Sequence, residues 1–339
     1  MTDKLIVTNF GPIRHAEMDI KKTTVLIGPQ GSGKSTLAKL VALMIDKPNH
    51  SSDPELFNFN SESQRYGIAG YGGEMTEIDY DSLKIKFNVK ANKFDFENRD
   101  LMLSVFIPTE RILLPVLSIS IMGLLNNNVA LPRFITAFGT KYEFARKSSD
   151  GLVVDYLDLE YRFRGEEYLV KNGIPVKLSE SASGYQAIIP LKIVVENYLP
   201  NREKVFIIEE PELNLYPTTQ KSLIYYLADR CTKGDNELMM TTHSPYVLAA
   251  LNNLIFAHKV AYERPELAPE VEKVIPRDSW LNPADFAAYF VADGTVRSII
   301  NPKTGLISEN ELDSVSDEIG DEFDSLMDLY RQKRNEAVR

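Results

Sequence analysis

Cysteine is almost missing from this chain of 339 residues: Cys231 stands alone. One thiol cannot close an internal disulfide, so a disulfide scaffold is excluded and a reducing compartment fits. Long apolar runs are missing too. The most apolar stretch, Ile112–Leu125, is broken by Pro115 and by serines, so no segment is expected to span a bilayer. Positive charge is in short supply, with 38 Lys and Arg against 48 Asp and Glu and a net charge of −10. That argues against a surface coated for non-specific nucleic-acid binding, though a local basic groove stays compatible with it. There are no repeats, no low-complexity tract and no sustained heptads, which excludes a long coiled coil. Met1–Lys4 lacks the positive-then-apolar pattern of a secretory leader, so a cytoplasmic location is expected.

What is present starts with Gly28-Pro29-Gln30-Gly31-Ser32-Gly33-Lys34-Ser35-Thr36, a match to the phosphate-binding loop pattern G-x-x-x-x-G-K-[ST]. Its context agrees. Thr23–Ile27 reads as a short buried strand entering the loop, and Leu37, Leu40, Val41, Met44 and Ile45 recur at helical spacing behind it. Glycines let the backbone curl round an anion without Cβ clashes. The N–H groups of the loop and first helical turn then face the phosphates. In this pattern Lys34 reaches the β- and γ-phosphates of a nucleoside triphosphate, and the Ser35 hydroxyl holds Mg²⁺.

The rest of the chain reads as alternating elements. Lys4–Val7 and Ile13–Ile20 are expected as strands around a turn at Asn9–Pro12. Pro48 is expected to end the loop's helix, and Asn49–Gly73 to be a surface loop carrying Tyr66 and Tyr71. Met75–Lys90 alternates as one antiparallel strand, and Phe94, Phe96 and Leu103–Ile107 continue that sheet. Arg111–Asn126 and Leu131–Arg146 look helical and make a short arm. Tyr156–Phe163 is expected as a strand, and Lys171-Asn172-Gly173 as the turn of a hairpin between Glu167–Val170 and Ile174–Leu178. A helix kinked at Pro190 runs from Ser179–Gly184 to about Tyr198. Val205–Ile208 is an apolar strand, Pro217 starts a helix, and Glu237–Thr241 is a strand followed by a helix to about Leu251. Ile255–Tyr262 and Ala287–Val291 are expected as strands, with a turn at Asp293-Gly294. Glu311–Arg331 carries an apolar stripe on an acidic helix, and Arg331–Arg339 is a basic tail.

Three further segments carry chemistry. Glu209 and Glu210 tip the apolar strand Val205–Ile208. A triphosphate site needs one strand-tip carboxylate for the Mg²⁺ shell and another to orient or deprotonate the attacking water, so Glu209 is assigned to the metal and Glu210 to the water. His243 follows Leu238–Thr242; a neutral imidazole there can link the γ-phosphate to that water. Ser181-Ala182-Ser183-Gly184-Tyr185-Gln186 opens a helix with small residues, which is either an ordinary N-cap or a second anion site. Two anion sites in one chain for one triphosphate suggest two chains facing head to tail, each capping the other's nucleotide.

In this order the motifs resemble the ABC-type ATPases of the SMC/RecF/OLD group. Within it they are similar to the small OLD-like and Septu (PtuA) AAA-type ATPases of bacterial anti-phage defence. The resemblance covers most of the chain and implies an α/β fold: a P-loop ABC-ATPase head with a mixed, largely parallel central sheet, an antiparallel β lobe and a short inserted helical arm. It implies lobe I at residues 1–110, an insert at 111–178 and lobe II at 179–339. It places Glu209 and Glu210 at Walker B, Pro211–Pro217 at the D-loop and His243 at the switch histidine. Ser181, Ser183, Gly184 and Gln186 take the signature that touches the partner's ATP. Asn9-Phe10-Gly11 fits the family's opening hairpin. Glu209 stands where most ABC proteins have Asp, and the metal-contacting Gln of the Q-loop has no clear counterpart, Glu110 being the nearest polar residue.

About ninety-five residues follow His243, too few for a Toprim nuclease domain beside the remaining strands. The resemblance therefore implies an ATPase that binds ATP and Mg²⁺, forms a homodimer and acts on a separately encoded effector, a nuclease being the leading candidate. Higher oligomers and DNA are further candidate partners, and no membrane is expected. The alternatives are a RecF-like DNA-repair ATPase and an ATP-bound scaffold with negligible turnover. A transporter ATPase is disfavoured because the signature is not Leu-Ser-Gly-Gly-Gln.

Overall fold

The computed structural model describes residues 3–46, 59–80, 87–88, 103–117, 131–149, 151–199, 204–308 and 318–329. Strands β1 (Asp3–Phe10), β2 (Ile13–Ile20) and β3 (Thr23–Ile27) lead into helix α1 (Lys34–Asp46). Helix α2 (Phe59–Arg65) and strands β4 (Gly72–Tyr80), β5 (Phe87–Asn88) and β6 (Leu103–Ile107) follow. Helix α3 (Arg133–Ser148) precedes β7 (Leu152–Val154), β8 (Leu159–Phe163), β9 (Glu167–Lys171) and β10 (Ile174–Lys177). Next come α4 (Ser183–Tyr198), β11 (Lys204–Glu209), α5 (Pro217–Cys231), β12 (Glu237–Thr242), α6 (Pro245–Glu263) and α7 (Ala268–Val274). Strands β13 (Phe286–Ala292) and β14 (Thr295–Ser298) complete the core, and residues 318–329 form a further helix, α8.

Ten strands make one mixed sheet in the order β5-β4-β1-β2-β14-β13-β3-β12-β11-β6. The block β13-β3-β12-β11-β6 is parallel throughout, with Thr242 opposite Ile27 and Glu209 opposite Thr241. The β5-β4-β1-β2 end is antiparallel. Strands β7–β10 form a separate antiparallel sheet.

The parallel strands are apolar at nearly every position because both faces of the sheet are covered. Side chains alternate between the faces. Leu26, Ile207 and Met239 join Leu37, Leu40, Val41 and Met44 of α1 on one side. On the other, Val25, Ile27, Phe206, Ile208 and Met240 pack with Ile188 and Leu191 of α4, Leu223 and Leu227 of α5 and Leu251 of α6. Helix α3 belongs to this second core through Ile135, Phe138 and Tyr142.

Several local expectations are corrected. The segment expected as a loop at Asn49–Gly73 contains α2, anchored by buried Phe59 and by Tyr66, whose hydroxyl donates to Asp46 Oδ2 at 2.6 Å. Met75–Lys90 is not one strand: β4 ends at Tyr80, and β5 returns beside it with Ile78 opposite Phe87. Leu103–Ile107 does belong to the same sheet, as expected; it is strand β6, at the far edge from β5 and parallel to β11. Tyr156 and Leu157 lie in a 3₁₀ turn closed by left-handed Asp158 (φ 49°), so β8 starts at Leu159. Ile255–Tyr262 is helix: α6 runs unbroken to Glu263, with Val247, Leu248, Leu251, Leu254 and Ile255 buried at spacings of three and four along one face. The hairpin turn is as expected, with Asn172 and Gly173 at φ 51° and 77°. Pro48, Phe94, Phe96, the end of the helix expected at Arg111–Asn126, and Arg331–Arg339 lie outside the described residues.

Candidate functional site

Because β3, β11, β12 and β6 run parallel, their carboxyl ends share one edge of the sheet, the edge where open α/β sheets bind ligands. The chain leaves β3 through Gly28 and curls into α1. Gly28 and Gly33 have φ of 152° and 106°. A Cβ on Gly28 would lie 2.1 Å from the Val291 carbonyl oxygen, and one on Gly33 2.4 Å from Ile13 Cδ1. Only glycine fits either place. Pro29, Gln30 and Gly31 are exposed, Ser32 and Ser35 are half-buried, and Thr36 is buried. Lys34 is buried and folds back over the loop, its Nζ donating to the carbonyls of Gly28 and Pro29 at 2.8 Å each. Burial draws the ammonium down to about 8, against the opposing pull of Glu210 and Glu212.

Glu209 ends β11 beside this loop, with 2% of its surface exposed. The Ser35 hydroxyl and the Thr109 N–H donate to its carboxylate. Its Oε1 has no hydrogen-bond partner among the described residues, and Lys39 Nζ lies 4.0 Å from it. Burial pushes its pKa up to about 7, with Lys39 pulling the other way. Glu110 Oε2 is likewise buried and without a hydrogen-bond partner, and its charge acts on Glu209. Buried carboxylate oxygens lacking donors, beside a serine hydroxyl, suit a hard, oxygen-preferring cation such as Mg²⁺.

Glu210 lies one residue beyond the strand at φ 41°, a left-handed conformation that costs a glutamate roughly 1–3 kcal/mol and recurs at functional sites. Its carboxylate is 3.3 Å from His243 Nε2. The hydrogen bond from His243, followed by the charges of His243, Lys34 and Arg111, outweighs burial and holds the Glu210 carboxyl below its usual range. His243 is set by Glu212. One buried Glu212 oxygen accepts from the Thr242 hydroxyl at 2.6 Å and from the His243 N–H at 2.9 Å.

The sequence reading gave Arg111 no role. It is fully buried, and burial draws its guanidinium down to about 10. Nε donates to the Ala187 carbonyl at 3.0 Å and Nη1 to Pro108 at 3.0 Å. Nη1 also donates to the Glu209 carbonyl, and Nη2 to that of Glu210, both at 2.7 Å. One side chain thus ties the helical turn after β6, the acidic strand tip and the start of α4 together. Strand β6 ends at Ile107, and Arg111 sits in the 3₁₀ turn Thr109–Leu113 that follows and leads into helix at 114–117. A helical pattern says nothing of which carbonyls a side chain will meet; only the position just after a strand end could have drawn attention to this arginine.

The proposed signature residues lie at the start of α4 and in the turn before it. Ser183 is exposed. The Ser181 hydroxyl donates to the Leu178 carbonyl at 2.7 Å, and the Gln186 amide to the carbonyls of Ser179 and Ser181 at 3.1 and 2.9 Å. Gly184 abuts the segment after the acids, where an added Cβ would lie 2.8 Å from the Asn214 carbonyl oxygen. Lys34, Ser35, Glu209, Glu210 and His243 are brought to one edge; the hydrogen bonds of Ser181 and Gln186 go instead to the turn before α4.

Fold and phosphate loop together define a P-loop protein of α/β architecture. A model of the AAA ATPase domain matches residues 1–110 and 141–248, and the chain belongs to that family. None of the curated proteins matches its sequence. Among solved structures, the SMC head domain from Thermotoga maritima is similar at 14% identity and a TM-score of 0.39, over 88% of this chain and 98% of that one. The ATP-binding cassette MJ0796, a dimer in a post-hydrolysis state bound to ADP and phosphate, is similar at 13% identity and a TM-score of 0.39, over 87% and 97%. Likenesses of this size concern the fold alone.

Proposed function

We propose that the chain is an ATP-hydrolysing switch that closes as a head-to-tail dimer and acts on a separately encoded effector. The observation that carries the reading is the meeting of Lys34, Glu209, Glu210 and His243 at one sheet edge, with His243 Nε2 3.3 Å from Glu210. On binding ATP, Lys34 exchanges its two loop carbonyls for phosphate oxygens. Ser35 and Glu209 would hold Mg²⁺, which when bound offsets phosphate charge. Glu210, kept ionised by His243 and Lys34, orients the attacking water and accepts its proton. His243 bridges that water to the γ-phosphate. Ser181, Ser183, Gly184 and Gln186 would cap the nucleotide of a second copy.

In this reading lobe I is residues 1–110, the insert 111–178 and lobe II 179–339. The motif order shared with OLD-like and Septu-type ATPases supports a cytoplasmic role in anti-phage or anti-plasmid defence, with a nuclease as the effector. The test is Glu210→Gln. Turnover should fall by about 10²–10⁴-fold, the usual contribution of a general base, while ATP binding persists; Lys34→Ala should lose binding itself. Undiminished hydrolysis by Glu210→Gln would refute the assignment.

A further inference from the structure

His243 lies between β12 and α6, and the chain there is tied to the segment after the acids at two places. The first is Glu212, which accepts from Thr242 and from the His243 N–H. The second is on α5. The Ser244 hydroxyl donates to Gln220 Oε1 at 2.6 Å, and Gln220 Nε2 donates to the Leu215 carbonyl at 2.9 Å. These bonds close into a ring. The Leu215 N–H donates to the Glu212 carbonyl at 3.0 Å, and the Ser244 N–H to the Thr242 hydroxyl oxygen at 3.0 Å. Both ends of the Gln220 amide are used, the oxygen as acceptor and the nitrogen as donor.

The two ties differ in what stands behind them. Glu212 stands on successive turns: the Leu213 N–H donates to the Glu210 carbonyl at 3.1 Å, and Glu210 and Asn214 take φ of 41° and 58°. Gln220 stands on the fifteen-residue helix α5, with its N–H donating to the Tyr216 carbonyl at 3.0 Å. Leu223, Ile224 and Leu227 bury that helix in the core. Gln220 is therefore where the ring is fastened to a packed element.

Ser244 adds an independent sign. It occupies the N-cap of α6, where a serine hydroxyl ordinarily accepts from an N–H of the first turn. It makes no capping bond. It is buried, and its hydroxyl is turned to Gln220 instead. A serine retained for the helix would cap it.

We infer that Gln220 is a positioning residue for hydrolysis: through Ser244 it holds the segment of His243, and so keeps His243 Nε2 beside Glu210. Its effect on turnover rests on the nucleotide-site reading above; its effect on the place of His243 does not. The test therefore has two arms, both on the full chain. Ring ¹⁵N NMR without nucleotide follows His243, assigned as the one histidine of four that His243→Gln removes. Gln220→Leu removes both amide bonds, and Ser244→Ala removes one without loss of a helix cap. Each should move the Nε2 resonance, and Ser244→Thr, which keeps the hydroxyl, should leave it in place. In ATP turnover Gln220→Leu should lower kcat by about 10²-fold, the order expected when a reacting group is displaced by about 1 Å, with KM for ATP changed less than about twofold. In a His243→Gln background the same substitution should lower kcat no further. An unmoved resonance in Gln220→Leu or Ser244→Ala, or an undiminished further loss of kcat in the His243→Gln background, overturns the inference. A moved resonance in a chain that hydrolyses no ATP would overturn the nucleotide-site reading and leave the positioning of His243 supported.

Discussion

A guanidinium offers five N–H donors in a rigid fork, and Arg111 directs its fork at four backbone carbonyls, among them those of Glu209 and Glu210. A lysine has a single charged tip and cannot reach all four. Arg111→Lys should therefore destabilise the fold by about 3–5 kcal/mol, the range for breaking a buried charged network, and urea unfolding measures it. A loss below ~1 kcal/mol would show that the carbonyls find other donors. Glu237 makes the opposite case. Burial, then Asp3, pushes its carboxyl from 4.5 to about 7. The folded pKa lies above the unfolded one, so its contribution is fully present below pH 4.5 and lost as pH rises through 7. Glu237→Gln should stabilise the chain by on the order of 1–3 kcal/mol at about pH 8, discounted for partial exposure, and by much less at about pH 5. Equal effects at the two pH values would exclude this titration as the cause. At this scale the legible residues were those in a spaced motif, such as Lys34, or at an apolar strand tip, such as Glu209. Arg111 and Glu212 were not, because their importance lies in carbonyls and hydroxyls supplied by distant segments.

Elements were legible where a local pattern determines them. Thr23–Ile27 and Ile13–Ile20 have the bounds expected of them, the first a buried strand and the second one that alternates between buried and exposed positions, and Asn172-Gly173 turns a hairpin because both residues accept positive φ. Ile255–Tyr262 was misread because a short apolar and aromatic run fits a strand or a helix, and the helical face it extends begins at Val247. Helix α8 tests the converse, a clear pattern without packing. Its apolar residues Ile319, Phe323, Leu326 and Leu329 are each at least 60% exposed. Large-to-small substitutions in a core cost about 2–5 kcal/mol, whereas exposed positions stay within about 0.5 kcal/mol. Phe323→Ala and Leu326→Ala should fall in the second class, as read by thermal unfolding. A loss above ~2 kcal/mol would mean that this face is covered in solution.

For the whole molecule, strand order decides what meets what, and no local signal carries it. Strand β6 follows the β4–β5 hairpin in sequence yet lies at the opposite edge of the sheet, and that placement brings Glu110 and Arg111 to the acids of β11. At the start of α4, Ser183 faces solvent. A sixteen-residue helix with an exposed N-terminus attracts an anion, and a second copy could present one in its bound ATP. Closure of this kind should depend on nucleotide, since ATP would form part of the contact. Glu210→Gln in ATP and Mg²⁺ should therefore double in mass by light scattering and return to the monomer when ATP is removed. Adding Ser183→Arg should keep it monomeric without changing its unfolding midpoint, because the position is exposed. A dimer of unchanged affinity in the double variant would show that the two chains do not meet through α4, and the head-to-tail arrangement would have to be abandoned.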